Sequence, residues 1–220
     1  MLKLWYETAM DTELNVETIP LREWQDQAKR KHYNRTESTP YQAIDELFEY
    51  YQMPHNANFV DFGCGTGRIA FYVHNRFNVP VTGVELNPLT YKDLQKNLKT
   101  YNKRDLTSDD RSDYINPQNK IAPINFFLEY AEEFQIQKEH NVFYFFNPFS
   151  TPIFEAVINN IKKSLKKHPR QVDIILYYPL YEVQSLLEKQ TIFKRLGTLY
   201  LDEIYEDEFE KFLVYRYMVD

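Results

Sequence analysis

Short runs of apolar residues alternate along most of the chain with stretches in which apolar residues recur every three or four positions. The short runs predict buried strands, and the wider spacing predicts helices that pack on one face. Strands alternating with helices are typical of a parallel sheet covered on both sides. The predicted strands are 58–62, 80–85, 124–128, 142–146 and 172–178, and the predicted helices are 41–51, 66–77, 88–98, 154–165 and 181–188.

This alternation breaks in two places. Residues 102–120 are polar, rich in Asp and Ser and without an apolar period, and they predict a long loop. After the last helix, two β-rich runs, 191–201 and 209–218, follow each other with only the acidic stretch 202–208 between them. Two successive strands without a helix predict an antiparallel hairpin at the end of the sheet.

The N-terminal part has the weakest pattern. Residues 1–40 are polar, with Leu21, Trp24 and Ala28 at roughly one-turn spacing, and they predict a helical extension that covers a cofactor or a substrate. The remaining residues, 41–220, are expected to form one α/β domain.

Composition narrows the classes of protein. A net charge of −6 gives no overall attraction to nucleic acid or to an anionic membrane. Cys64 is the only cysteine, which excludes an internal disulfide and predicts a reducing compartment. No apolar stretch approaches the roughly 18 residues of a membrane span, and no signal-peptide pattern opens the chain. A cytoplasmic protein without membrane contact is expected.

Two basic runs depart from the acidic balance, residues 29–32 and residues 162–170. Such runs are typical of solvated helix faces. A surface for RNA or for an acidic protein is the alternative, so nucleic acid is not excluded as a partner.

Glycine is scarce and concentrated. Of five glycines, three fall within Gly63-Cys64-Gly65-Thr66-Gly67, between a predicted strand and a predicted helix. Because glycine costs backbone entropy, it is kept where φ is positive or where a ligand approaches the backbone. A dinucleotide site requires glycine at position 68, where this chain has Arg68. An acid, Asp61, stands two residues before the first glycine instead.

The pattern Asp61-x-Gly63-x-Gly65-x-Gly67 resembles motif I of the class I S-adenosylmethionine-dependent methyltransferases. The resemblance implies a Rossmann-like, doubly wound, mostly parallel seven-stranded sheet with helices on both faces, and S-adenosylmethionine as the cofactor. An acid beside the turn suits the ammonium group of the methionine part. The cofactor-binding residues implied for this motif are Asp61, Gly63, Gly65, Thr66 and Gly67.

The next two strand ends also carry acids. Glu85 can accept hydrogen bonds from both ribose hydroxyls, or it is an acid favoured at a helix N-terminus. Leu86, which follows it, is a further cofactor-binding candidate. Glu129 and Tyr130 match the positions at which the resembling family binds adenine, although acids are also common at helix starts.

After the fourth predicted strand, Asn147-Pro148-Phe149-Ser150 is similar to the Asn-Pro-Pro-Tyr motif of enzymes that methylate amino groups on planar acceptors. The resemblance implies that Asn147 accepts hydrogen bonds from the NH₂ group and that Phe149 stacks on the acceptor. Asn147 is also a cofactor-binding candidate. Phenylalanine replaces the second proline, and a Pro-Phe turn that ends a buried strand is the alternative.

Two other features have alternative interpretations. Tyr177, Tyr178 and Tyr181 either wall the acceptor pocket or belong to the core. Residues 34–41 either cover the cofactor or link two elements and cap a helix.

The motifs together predict an enzyme that transfers the sulfonium methyl group by direct displacement, in which the protein orients the acceptor and excludes water. The acceptor is a small molecule, a protein or RNA, with an amino nitrogen as one candidate. The alternatives are a non-catalytic S-adenosylmethionine-binding protein of the same fold and an NAD-dependent oxidoreductase. Arg68 and the closing hairpin argue against the oxidoreductase. The histidines show no metal-ligand spacing, and no metal site is expected.

Overall fold

The computed structural model describes residues 2–102, 121–201 and 207–219. Nearly all of the predicted loop at 102–120, and residues 202–206 of the acidic stretch, lie outside the described residues. The helices are α1 (Leu2–Leu14), α2 (Gln27–Arg30), α3 (Tyr41–Tyr50), α4 (Arg68–Phe77), α5 (Pro88–Thr100), α6 (Thr151–Lys167) and α7 (Tyr181–Gln190). The strands are β1 (Phe59–Phe62), β2 (Val81–Glu85), β3 (Ile124–Leu128), β4 (Val142–Phe146), β5 (Val172–Tyr177), β6 (Lys194–Tyr200) and β7 (Lys211–Tyr217).

The strands form one seven-stranded sheet in the order β3-β2-β1-β4-β5-β7-β6. Strands β1 to β5 pair in parallel, and β7 runs antiparallel between β5 and β6. The predicted fold class, a mostly parallel sheet that ends in an antiparallel hairpin, is confirmed. The strand order reverses between β1 and β4, and in open α/β sheets ligands bind outside the carboxyl ends of the strands at such a point.

Two apolar clusters cover the two faces of the sheet. Alternate residues of β1 serve different clusters, with Phe59 in one and Val60 and Phe62 in the other, as the pleat of a strand requires. Helices α3 and α4 pack in the first cluster, and α6 and α7 pack in the second. Because β1, β4 and β5 are buried on both sides, their sequences are almost continuously apolar.

The prediction of helix around Leu21, Trp24 and Ala28 is wrong for the first two of these residues. Only Ala28 is helical, in the short α2 that Asp26 caps by accepting a hydrogen bond from the Ala28 amide. Leu21 is exposed and Trp24 is buried in an irregular stretch. The physical reason is a long-range pairing, since Arg22 forms an antiparallel bridge with Thr36 and holds this part extended.

The remainder of the N-terminal part packs on the domain. Helix α1 contacts α3 and α4, and Leu14 at its end lies in the first apolar cluster. Across the described part of the chain, none of the helices combines the length and the apolar character needed to cross a membrane.

Candidate active site

The glycine turn connects β1 to α4 at the carboxyl edge of the sheet. Gly63, Gly65 and Gly67 all have positive φ, at 74°, 56° and 95°. L side chains rarely adopt this conformation, which explains why glycine is concentrated here. The turn is held against the neighbouring strand, because the Gly63 amide donates to the carbonyl of Val84 at 2.8 Å.

Glu85 ends β2 beside the turn and is buried. Its Oε2 accepts a hydrogen bond from the Gly65 amide at 2.9 Å, and its Oε1 accepts from the Asn87 amide at 2.6 Å. Burial raises the pKa of the Glu85 carboxyl, although the backbone amides of Asn87, Gly65 and Leu86 oppose the rise. Asn87, and not Glu85, caps the N-terminus of α5, because the Asn87 side chain accepts hydrogen bonds from the Leu89 and Thr90 amides. Glu85 is thus directed at the turn.

Asp61 lies in β1 beneath the turn and is buried. Its Oδ2 has no hydrogen-bond partner among the described residues, and the same holds for Oγ1 of Thr66 in the turn. Burial, and then the charge of Glu85, raises the pKa of the Asp61 carboxyl well above its usual value. Buried polar atoms without a partner are rare in folded proteins, and a ligand that binds to them is one explanation.

The third strand end lies next to Glu85. The Glu129 amide, directly after β3, donates to the Glu85 carbonyl at 3.1 Å. Tyr130 is covered by Lys29 of α2, whose Nζ lies 4.2 Å from the ring centre and donates to the tyrosine hydroxyl.

A cavity of about 40 Å³ lies over the turn and these strand ends. It brings together sequence-predicted residues from four strand ends, namely Gly63, Glu85, Leu86, Glu129 and Phe149. The lining does not include five other predicted cofactor-binding residues, Asp61, Gly65, Thr66, Gly67 and Tyr130.

Residues 22–37, which we term the covering segment, close this cavity from above. Thr36 is nearest the turn, since its Cγ2 lies 2.9 Å from the position that a Cβ on Gly65 would take. The Asn34 amide donates to the Pro148 carbonyl at 3.0 Å, and the Ser150 amide donates to the His32 carbonyl at 2.7 Å. Residues 34–37 therefore lie over the glycine turn rather than forming a simple linker.

A second cavity, of about 570 Å³, lies beside the first at the carboxyl ends of β4 and β5. Asn147 and Tyr178 line it, and they follow Phe146 and Tyr177, which are paired across the two strands. Both are in the left-handed region, with φ of 36° and 51°. Non-glycine residues with such strain cluster at functional sites.

Other predicted acceptor residues lie elsewhere. Phe149 is buried in an aromatic group with Tyr33 and Phe145, and it lines the smaller cavity instead of the larger one. Tyr177 is buried in the core, and Tyr181 is exposed with its hydroxyl on Glu208. Of the three tyrosines, Tyr178 lines the larger cavity.

No family model and no curated protein matches the chain. Three solved structures are similar to it at low identity. A protein from Pyrococcus horikoshii described as a candidate RNA methyltransferase matches 97% of this chain and 96% of its own, with 16% identity and a TM-score of 0.51. The glycopeptide N-methyltransferase MtfA matches 81% and 90%, with 11% identity and a TM-score of 0.52.

The third is the tRNA (uracil-54, C5)-methyltransferase of Pyrococcus abyssi, in complex with S-adenosyl-L-homocysteine. It matches 81% of this chain at 15% identity and a TM-score of 0.52, and the match spans 38% of that longer protein. The chain has the class I methyltransferase fold.

Arg68, which is outside the sequence-predicted site, connects the N-terminal residues to the rest of the domain. Arg68, which opens α4, is buried and forms an ion pair with Glu7. Its Nε donates to Thr18 at 2.6 Å, and its guanidinium lies 4.4 Å from the ring centre of Tyr41. The arginine that replaces a dinucleotide glycine thus ties the N-terminal residues to the helix that follows the turn.

Sequence reasoning missed Trp24 and Tyr33 of the covering segment, whereas residues 34–37 were among its candidates for a cofactor cover. Trp24, Tyr33, Asn34, Arg35 and Glu37 line both cavities, so this segment forms a wall common to the two. The polar composition of residues 34–37 was a signal for them, whereas nothing local in the sequence marks Trp24 or Tyr33 as site residues. Among the described residues, no group of three or more His, Cys, Asp and Glu side chains is arranged to hold a metal ion.

Proposed function

We propose that the protein is an S-adenosylmethionine-dependent methyltransferase. The observation that carries the proposal is the hydrogen bond between the Gly65 amide and the Glu85 carboxylate, made at the strand-order reversal of a class I sheet. This hydrogen bond holds a buried carboxylate beside a turn of glycines with positive φ. In this arrangement the carboxylate can bind the ribose hydroxyls, and the turn leaves room for the methionine part of the cofactor.

The donor set at the turn fits the cofactor. Glu85 would accept hydrogen bonds from the ribose hydroxyls, and Asp61, whose Oδ2 has no partner among the described residues, would bind the ammonium of the methionine part. Leu86, Glu129 and Tyr130 would bind the adenine side. The remaining proposed cofactor contacts come from Gly63, Gly65, Thr66, Gly67 and Asn147.

The covering segment has to shift for the cofactor to bind. Ligand sites usually have volumes of roughly 300 to 1,000 Å³, whereas the cavity over the turn measures about 40 Å³. Thr36 occupies the space above Gly65, and its segment is held by backbone hydrogen bonds to Arg22 and Pro148. We therefore expect residues 34–37 to move outward on binding and to cover the bound molecule afterwards.

When bound, S-adenosylmethionine supplies an electrophilic methyl group on a sulfonium. The protein's own task is to orient the acceptor and to exclude water. Asn147 lines the larger cavity and would accept a hydrogen bond from an acceptor NH₂ group. The stacking role of Phe149 stays a prediction, and its place in the smaller cavity favours a contact on the cofactor side instead.

Transfer of labelled methyl from S-adenosylmethionine into fractionated cell extract tests this function. We expect label in one fraction with the native protein and none with Glu85→Ala. Treatment of that fraction with ribonuclease or protease separates RNA, protein and small-molecule acceptors. Label that enters no fraction, together with absence of cofactor binding, would refute the proposal.

A second candidate is a binding protein of the same fold without activity. The position of Phe149 is the observation that favours it, because this side chain lines the smaller cavity and not the larger one, so the proposed acceptor side lacks its stacking ring. Tight binding of S-adenosylhomocysteine without transfer of label into any extract fraction would support this candidate. An NAD-dependent oxidoreductase is disfavoured by Arg68, whose side chain is committed to Glu7 and Thr18.

A further inference from the structure

We propose that the larger cavity binds an organic cation, an amine whose ammonium group lies among carboxylates against an aromatic wall. Methylation of this amine rests on the proposed methyltransferase function. The ammonium would first give its proton to one of the lining carboxylates, and the freed lone pair would form the nitrogen–methyl bond as the methyl–sulfur bond breaks and S-adenosylhomocysteine leaves. Binding of the amine is a separate property of the cavity.

The size and position of the cavity are those of a ligand site. Its volume of about 570 Å³ lies in the range that small-molecule sites occupy. Its base is formed by the carboxyl ends of β4 and β5, where Asn147 and Tyr178 hold strained backbone conformations side by side. The covering segment closes the opposite side and separates it from the smaller cavity over the glycine turn.

Carboxylates outnumber cations in the wall. The lining contains four carboxylates, from Glu23, Glu37, Asp207 and Glu210, and two guanidinium groups, from Arg30 and Arg35. The arginines are engaged by the protein, since Arg35 pairs with Glu37 at 2.9 Å and lies 4.0 Å from Glu23. Arg30 donates to the carbonyl of Trp24. The excess charge of the wall is therefore negative.

Three of these carboxylates, from Glu37, Asp207 and Glu210, act on the hydroxyl group of Tyr178. Its hydroxyl donates to Oδ2 of Asp207 at 2.6 Å. That hydrogen bond, partial burial and the charges of Asp207, Glu210 and Glu37 raise the pKa of Tyr178 to about 12. A positive group at the same place would be stabilised by the same three charges.

Aromatic rings supply the second half of a cation site. Trp24, Phe146 and Tyr178 line the cavity, and the rings of Phe146 and Tyr178 lie 6.5 Å apart at their centres. Ring faces attract organic cations, and the attraction grows as water is excluded. A metal ion is a poorer match, because the described residues contain no His, Cys, Asp and Glu group with metal-binding geometry.

Calorimetric titration of the full chain with 2-phenylethylamine and with its neutral analogue 2-phenylethanol tests the inference. We expect the amine to bind about tenfold more tightly or better, since a charge-assisted hydrogen bond is about twice as strong as a neutral one. Asp207→Asn and Glu210→Gln should each weaken amine binding about tenfold while leaving the affinity for S-adenosylhomocysteine unchanged. Glu208→Gln is the matched control, because this neighbouring acid bonds to Tyr181 and does not line the cavity.

The two proposals fail in different ways. If S-adenosylhomocysteine binds but the amine binds no better than the alcohol, the cation site is refuted and the methyltransferase proposal stands. Amine binding that needs Asp207 and Glu210, in a protein with no affinity for S-adenosylhomocysteine, supports the cation site and overturns the methyltransferase proposal. Binding of a uridine hexanucleotide to the cavity, with the amine binding no better than the alcohol, would refute the cation site and indicate a nucleic-acid surface instead.

Discussion

The amide nitrogen of Gly65 lies 2.9 Å from Oε2 of Glu85, so the glycine turn after β1 and the acid that ends β2 form one unit. The hydrogen bond uses a backbone group, and it requires the left-handed conformation that Gly65 adopts at φ 56°. A side chain at this position would disturb both the turn and the contact with Thr36.

Gly65→Ala is therefore expected to lower the free energy of unfolding by about 1 to 2 kcal/mol, because an L residue is strained at positive φ. It should also weaken S-adenosylmethionine binding, since the Glu85 carboxylate loses its fixed partner. Denaturant titration and calorimetry measure the two effects. Gly197→Ala is the control, because its added Cβ meets the hydroxyl of the half-exposed Tyr50, which can rotate away. Equal losses in both variants would contradict this account of the turn.

Asp61→Asn should stabilise the free protein at neutral pH while weakening cofactor binding. The Asp61 carboxylate is buried without a partner for Oδ2 and near Glu85, so replacing the charge by an amide is expected to add about 1 to 3 kcal/mol to the free energy of unfolding.

The pH dependence of this gain has a defined sign. The pKa of Asp61 is raised in the folded chain, so its charge destabilises the fold above that pKa. As the pH falls through the raised pKa, the folded chain takes up the proton. The free energy of unfolding that Asp61→Asn gains over the native protein should therefore shrink. A difference that grows on acidification would show that Asp61 is ionised and stabilised.

Arg68→Ala should destabilise the protein by about 3 kcal/mol, because it leaves the largely buried Glu7 carboxylate without its cation. Thermal or denaturant unfolding measures the loss. The double variant Arg68→Ala with Glu7→Gln should lose less than the sum of the two single changes, because the unpaired charge is then absent. Additive losses would mean that the ion pair does not anchor the N-terminal residues.

The buried His140 side chain is expected to make the folded protein less stable in mild acid. Burial, and then the charge of Arg170, lowers the pKa of His140 from 6.5 to about 4. Between these values the unfolded chain binds a proton that the folded chain does not, so stability should fall as the pH drops from 6.5 to 4.

The variant His140→Asn keeps an acceptor for the Gln137 amide and removes the titration. The free energy of unfolding of this variant should not show the fall with pH that His140 causes. For a single group that fall is at most about 1.4 kcal/mol per pH unit. Denaturant titrations at several pH values between 4 and 7.5 measure it. A constant difference between native protein and variant over this range would contradict the assignment.

The parallel sheet was predictable from sequence because its strands are buried on both faces. Strands β3 and β4 begin and end at the predicted residues, and β1, β2 and β5 differ by one residue at one end. Such strands show as short apolar runs, which neighbouring residues alone define. Strand β6 begins three residues later than predicted, at Lys194, because residues 191–193 form a bend after α7 instead of pairing in the sheet.

The covering segment was not predictable in the same way, because its conformation depends on distant residues. The Arg22–Thr36 bridge and the hydrogen bond from Asn34 to Pro148 join positions far apart in sequence. Asn147 and Phe149 line different cavities, and Asn147 has a positive φ that no short motif specifies. The residue types therefore predicted that the turn binds a ligand. The shapes of the two cavities could not be predicted, because they depend on contacts between residues far apart in the sequence.

Calorimetric titration with S-adenosylmethionine and with NADH, on the native protein and on Glu85→Gln, tests the central claim most directly. We expect S-adenosylmethionine to bind the native protein and to bind Glu85→Gln about tenfold to a hundredfold more weakly, because a neutral amide loses the charge-assisted bonds to the ribose. NADH should bind neither. Binding of NADH in preference to S-adenosylmethionine, or S-adenosylmethionine binding that is indifferent to Glu85→Gln, would contradict the account.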